Sequence, residues 1–483
     1  SSESNGITSS SWSGWDTTFS FVQPEFVGLI ADSGSILFSD LDYTDRPVAT
    51  ELTASIAAFE PDGITTLTLT ADQQQSIEDA FTVRLSDDST NNGAVHWTYS
   101  IDEVDLNFLA AGESVEAVFT VSITDQIGAS SSQDVSILLT GSNDAPTTLL
   151  SSVPLPSLAE DTSSQASIQD LFNGSGSNAA FTDAPNDNSG DLFAGVALVA
   201  NDAFNTQGYW QYKAPTSSTW LNVSTPANPL SLSRALFLPA DYILRFQPSP
   251  NWNGVAGSLT ARLADDSVGT LPAPGTRLDI SSFDASGGTS RFSDSSNAVQ
   301  LTASVTPVND APTVSLSTAF LSQVGEDNFN PPGASVASFV ASSYSDATDV
   351  VDGGSNADAF EGIAITAYND DPSQGIWQYS TNEGVSWIEL PPVSGASSAL
   401  SLLSSDWLRF VPAPDFNGTA PTIDVVLVDS STSLMSGGLI DASTRGGTTP
   451  YSAGTVVISH AVEAINDAPL LNPPATFDLI EDT

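Results

Sequence analysis

The chain has 483 residues, enough for about three domains of ordinary size, and its 40% hydrophobic residues can fill such cores. Against 58 Asp plus Glu stand only 10 Lys plus Arg, a formal net charge of −48, so the cationic stripes that nucleic acid or an anionic membrane surface require are missing. With no cysteine there is no disulfide framework and no thiolate site, and no apolar run approaches the roughly 20 residues that span a bilayer.

Residues 1–27 match nothing later in the chain and read as a partial strand or linker. Beyond them come short, β-branched and often alternating runs: Thr65–Thr70, Val118–Thr124, Val135–Thr140, Ala298–Val305 and Thr455–His460. Gly, Pro, Asn, Asp and Ser punctuate these runs, which predicts an all-β chain of sandwiches with Greek-key or immunoglobulin-like connections. Helical periodicity is confined to turns near Ile77–Asp79 and Ile168–Phe172.

One phrase recurs at domain-length spacing: Asn143-Asp144-Ala145-Pro146, Asn309-Asp310-Ala311-Pro312 and Asn466-Asp467-Ala468-Pro469. A second phrase follows each: Glu160-Asp161-Thr162, Glu326-Asp327-Asn328 and Glu481-Asp482-Thr483. Between linkers, Gly208-Tyr209-Trp210-Gln211-Tyr212 answers Gly375-Ile376-Trp377-Gln378-Tyr379, Trp220 answers Trp387, and Asn253-Gly254 answers Asn417-Gly418. The expected modules are therefore 28–144, 145–310 and 311–467, with 468–483 as the first strand of a next repeat or a donor strand. Such a chain reads as a segment of a longer polypeptide.

The acids gather at the linkers. Asn and Asp offer oxygens at each seam, and Pro holds the preceding residue extended. Further acids cluster at matching places: Asp40 and Asp42 in the first module; Asp183, Asp187 and Asp191 ahead of Phe193-Ala194-Gly195; and Asp346, Asp349, Asp352 and Asp358 ahead of Phe360-Glu361-Gly362. Asp125, Asp265, Asp266 and Asp429 end strands nearby. A lone Asp is as readily a turn former, but oxygen donors of this number and kind suit Ca2+ better than magnesium or a transition metal. The candidate ligands are the clustered acids together with Asn143, Asp144, Glu160, Asp161, Asn309, Asp310, Glu326, Asp327, Asn466, Asp467 and Glu481, with the four strand-end acids as further candidates.

With these residues in view, the linkers resemble the calcium-binding interdomain linkers of cadherins, with Glu160, Glu326 and Glu481 standing where a glutamate of the next repeat reaches the junction. Residues 28–144 resemble the VCBS repeat through "SGSILFSDLDYTD" and "LLTGSNDAPT". The later modules resemble the cadherin-like repeats of giant RTX-type bacterial adhesins, through "GIWQYSTNEGVSWIEL" and "LRFVPAPDFNG". The resemblance implies a linear rod of cadherin-like modules on an extracellular cell surface, stiffened by calcium and serving adhesion or biofilm cohesion. Its partners would be calcium, neighbouring repeats, and other copies or surface glycans.

Three rivals have weaker footing. No Ser-His-Asp, His-Glu-x-x-His or P-loop signature is present, and His96 and His460, isolated in strand-like runs, are expected to be exposed strand residues, so no catalytic residue is assigned. Trp210, Trp220, Trp377 and Trp387 could stack on sugars as a carbohydrate-binding surface would, or pack the cores; self-assembly into a filament by strand donation is a further alternative.

Overall fold

The computed structural model describes residues 18–22, 28–40, 46–86, 90–183, 191–267, 269–282 and 285–469. It is all-β, and none of the described helices is long and apolar enough to cross a membrane. Two compact units emerge. One holds the described residues up to Ser157 with Ser163–Gln247 and Ala256–Ser304; the other holds Leu158–Thr162, Pro248–Val255 and the described residues from Val305 onward.

The first unit opens with a sandwich. A five-stranded sheet runs in the order Thr18–Val22, Ser130–Thr140, Ser114–Thr124, Val48–Phe59, Thr66–Leu67, and faces Leu29–Ser39, Asn92–Asp102 and Phe81–Leu85. Because side chains alternate along a strand, Val95, Trp97, Tyr99 and Ile101 point to one side and meet Val115, Ala117, Phe119 and Val121 from the other sheet. Phe81 stacks between Trp97 and Phe119, with ring centroids 5.9 and 4.3 Å away. The expected strand Thr65–Thr70 shrinks to Thr66–Leu67, because Thr70 caps a helix, Ala71–Asp79. Thr70 and Gln73 exchange side-chain and backbone hydrogen bonds there, and Ile77 is buried beneath.

A second sandwich occupies the rest of this unit. Its larger sheet has Ser152–Pro154, Ala298–Thr302, Leu259–Asp265, Phe193–Asn201, Ala235–Pro239 and Arg277–Leu278; the facing sheet has Ser164–Ser167, Ile243–Pro248, Gly208–Lys213 and Leu221–Asn222. The second unit repeats this plan with Thr318–Gly325, Val456–Glu463, Ile423–Asp429, Phe360–Tyr368 and Ala399–Leu403 against Trp407–Pro412 and Gly375–Ser380. In both copies the central strand is buried on both faces, since a second apolar layer covers its outer side: Phe237, Ile280 and Phe292 in one, Val426, Val428 and Ala442 in the other.

Trp210 and Trp377 lie in these cores, 1% and 0% exposed, each donating its indole N–H to a backbone carbonyl, of Gly257 at 2.8 Å and of Pro421 at 2.7 Å. Trp220 and Trp387 are covered by guanidinium groups, Arg245 at 4.0 Å and Arg409 at 4.1 Å from the ring centroids. Trp210 and Trp377 are thus spent on packing, while Trp220 and Trp387 are half-buried. Trp377→Ala should cost about 3–5 kcal/mol through the cavity it leaves, seen as a lower denaturant midpoint, with retention on glycan columns unchanged. His460 departs from the exposed position expected of it: it is 1% exposed, packed on Trp377 and Phe410, and burial lowers its pKa. His96 bonds the hydroxyl of Ser35 at 2.8 Å.

In each sandwich the first strand pairs in parallel with the last: Thr18 with Ser136, Val153 with Leu301, Ala319 with Ile458. Parallel pairing sends the end of the first strand toward the following linker rather than back to the preceding one.

Candidate metal centres

At the first seam, within the first unit, the strand Ser130–Thr140 ends and Gly141 bonds back to Glu113, leading into Asn143 and Asp144. Glu113, Asn143, Asp183 and Asp265 are 1%, 2%, 5% and 0% exposed. Each has one side-chain oxygen engaged or one amide donating. Ala110 N–H reaches Glu113 at 2.9 Å, Asp191 N–H reaches Asp183 at 2.9 Å, Ser267 N–H reaches Asp265 at 3.0 Å, and the Asn143 amide donates to Ser290 O at 3.2 Å. The remaining oxygens, Glu113 Oε1, Asn143 Oδ1, Asp183 Oδ1, Asp191 Oδ2 and Asp265 Oδ2, are buried with no hydrogen-bond partner among the described residues.

Buried acceptors without donors are costly, and here the neighbouring charges are other carboxylates. Burial, then Asp183 and Asp191, push Asp265 up to about 7; burial, then Asp191 and Asp266, push Asp183 up to about 6. Burial raises Asp191 and Glu113 as well, with Asp266 acting on the first, and Glu60 and Asp191 on the second.

The second seam, within the second unit, has the same plan. The Asn309 amide donates to Thr449 O at 3.3 Å as Asn143 does to Ser290, and its Oδ1 is buried and unpartnered, as is Asp346 Oδ1. Asp358 N–H bonds Asp346 as Asp191 N–H bonds Asp183, and Ser431 bonds Asp429 as Ser267 bonds Asp265. Carboxylate oxygens of Asp346, Asp349 and Asp358 lie within 4.8 Å of one another. Burial, then Asp346, Asp310 and Asp358, push Asp349 up to about 6; burial raises Asp346 and Asp310 too, the latter also through Glu160 and Asp161.

Glu160 and Asp161 therefore gather with Asp310. This corrects the expectation that Glu160 serves the linker just before it. Leu158 and Ala159 pair in parallel with Val305 and Thr306, which delivers Glu160, 4% exposed, to accept from Val308 N–H and from the Asn253 amide at 3.1 Å. Glu326 repeats the arrangement, accepting from Ile465 N–H at 2.6 Å and the Asn417 amide at 2.7 Å. Beside it Asp327, Asp415 and Asp467 hold oxygens within 4.8 Å of one another, and partial desolvation and the carboxylates of Asp327, Asp415 and Glu326 raise Asp467; Asn466 is exposed.

Other assignments differ. Asp40 lies at the far end of the first sandwich, in a cleft of about 440 Å³ it shares with Asp125, whose Oδ1 is engaged in a turn by Ile127 and Ala129 N–H. Asp352 is exposed on a turn. Asp42, Asp187 and Glu481 lie outside the described residues. Glu113 and Asn251, whose N–H bonds Asp161 at 3.0 Å, have no counterpart in the linker phrases, whereas Asn253 repeats in Asn417 and the strand-end Asp265 in Asp429.

Hard oxygen donors, several of them buried and lacking donors of their own, fit a divalent cation such as calcium, which takes six to eight oxygens. No family model and no curated protein matches the sequence. Among solved structures the chain is similar to mouse Cadherin-23 EC22-24, at 13% identity over 80% of this chain and 87% of that one, with a TM-score of 0.32. It is likewise similar to Protocadherin Gamma B2 extracellular cadherin domains 3-6 (14%, 82% and 68%, 0.32) and to human CDH23 EC21-23 (10%, 87% and 90%, 0.33). At these TM-scores the likeness carries no argument about the site, whose chemistry stands on its own residues.

Proposed function

We propose that this chain is a calcium-stiffened extender of an extracellular bacterial adhesin, its working modules 28–144, 145–310 and 311–467, holding a cell to a surface or to other cells in a biofilm. The observation that carries this reading is the recurrence, at two Asn-Asp-Ala-Pro linkers, of a buried Asn oxygen and at least one buried Asp oxygen with no donor among the described residues. A solvated acidic surface would leave such oxygens in water. Asn143 with Asp183, Asp191, Asp265 and Glu113 would hold calcium at one seam; Asn309 with Asp310, Asp346, Asp349, Asp358 and Glu160 at the other. Calcium there supplies positive charge that offsets the mutual repulsion of these carboxylates. The residues do the rest: Pro146 and Pro312 keep the preceding backbone extended, and the Asn amides tie each linker to a loop of the following sandwich. Extracellular calcium modules typically bind with dissociation constants of about 10⁻⁴ to 10⁻³ M, matched to a cell exterior and absent from a low-calcium interior.

The reading is tested by Asp310→Ala. In a calcium titration by calorimetry the variant should lose the sites of the second seam and keep those of the first. A titration identical to that of the unaltered protein would remove Asp310 from the ligand set.

A further inference from the structure

The Asn253 side chain makes more bonds than any role in the second sandwich alone requires. It is 1% exposed, and its amide nitrogen donates to Glu160 Oε2 at 3.1 Å and to Ser355 Oγ at 2.8 Å, while its Oδ1 accepts Ser355 N–H at 2.8 Å. Ser355 Oγ donates in turn to the backbone carbonyl of Asp349, and Asp349 carboxylate oxygens accept Asp310 N–H at 3.1 and 3.3 Å. All of these residues belong to the second compact unit. One uncharged amide thus bonds Glu160 directly and Asp349 through a single serine.

The turn that meets it is shaped for the purpose. A Cβ on Gly354 would lie 2.4 Å from Asn253 Oδ1 and 2.6 Å from its carbonyl oxygen, and one on Gly254 would lie 3.2 Å from Gly353 O. Gly353 adopts φ +75° and Gly254 φ +119°, conformations that favour glycine. Val351 N–H bonds Ser355 O at 3.1 Å and Gly354 N–H bonds Val351 O at 3.0 Å, closing the turn on itself. Backbone approaches backbone here because no side chain stands between.

The third sandwich holds its glutamate in the same way. Asn417 donates to Glu326 Oε2 as Asn253 does to Glu160, yet it is exposed, and a Cβ on Gly418 would meet nothing within 4 Å. Holding the glutamate is therefore common to both copies. Among the described residues the grip on a Gly-Gly-Ser turn is seen at Asn253.

We propose that Asn253 is a positioning residue, an amide latch that sets Glu160 and Asp349 in place at the second seam before any cation arrives. The proposal rests on the calcium reading of that seam. A ligand set arranged in advance loses less freedom on binding, and residues that orient metal ligands typically change affinity about 10- to 100-fold when removed.

The test uses the full chain with Asn253→Ala, Ser355→Ala, and Asn417→Ala as the control. Amide hydrogen exchange in chelator is read first: Ser355 and Asp310 N–H should be protected in the unaltered protein and exchange at least about tenfold faster in Asn253→Ala, with Asn417→Ala unchanged. Calorimetric titration should then show calcium affinity at the second seam about tenfold weaker in Asn253→Ala and Ser355→Ala. Unprotected amides in the unaltered protein, or unchanged exchange and affinity in both latch variants while Asp310→Ala loses its sites, would overturn the latch. Exchange that responds to Asn253→Ala in a protein that binds no calcium would keep the latch and discard the calcium reading.

Discussion

In chelator at pH 7.5 the protein is expected to unfold at a temperature roughly 5–10 °C below its midpoint in millimolar calcium. Each site at which free calcium is tenfold above its dissociation constant adds about 1.4 kcal/mol to the bound state, and a domain of about 150–250 residues gains about 2–4 °C for each kcal/mol. Two seams bear buried acceptors without donors, so the effect should exceed one site's worth. It should also be selective. Sodium at matched ionic strength screens exposed charges but offers no multivalent contact to Asp265, which is 0% exposed, or to Asn143, 2% exposed. Differential scanning calorimetry with calcium, magnesium and sodium checks this, and equal midpoints in all three would refute it.

Without calcium, stability should fall as pH rises from about 4 to 7, the reverse of the usual acid denaturation. The sign follows from the seam acids. An Asp in an unfolded chain titrates near 3.9, whereas Asp265 is pushed up to about 7, and Asp183 and Asp349 to about 6, by burial first and then by neighbouring carboxylates. Between those values the folded state binds more protons than the unfolded one, so raising the pH favours unfolding. The contribution of these groups is fully present below about pH 4 and is lost through the folded values. At saturating calcium the slope should flatten, since ionised seam oxygens are then the favoured form. Thermal melts in chelator at pH 5 and pH 7.5 should differ by roughly 5 °C or more in favour of pH 5. Chelated melts that rise from pH 5 to 7.5 would mean that these carboxylates are solvated.

The sequence carries the sandwiches through its repeats. Trp210 and Trp377 recur in register because each fills the same core position and donates to the same kind of carbonyl, and the acids ahead of Phe193 and Phe360 recur because Asp183 and Asp346 take the same backbone N–H. Glu160 was legible as a seam residue but not as to which seam. Only the parallel pairing of first and last strands decides that, and nothing in the spacing of Glu160 from Asp144 reveals strand direction. Glu113 leaves no trace in the repeats, because the first sandwich has a different internal pattern and delivers its glutamate from a turn beside Gly141. Asp125 shows the converse: it ends a strand and closes a local turn as Asp265 and Asp429 do, but it lines a cleft with Asp40 instead of meeting a linker.

The most direct measurement is a crystal structure grown in millimolar calcium, with an anomalous difference map phased on the protein. Peaks are expected in contact with Asn143 Oδ1, Asp183 and Asp265 at the first seam, and with Asn309 Oδ1, Asp346 and Asp349 at the second. A map featureless at both seams, with those oxygens bonded to water or to protein donors, would contradict the calcium reading.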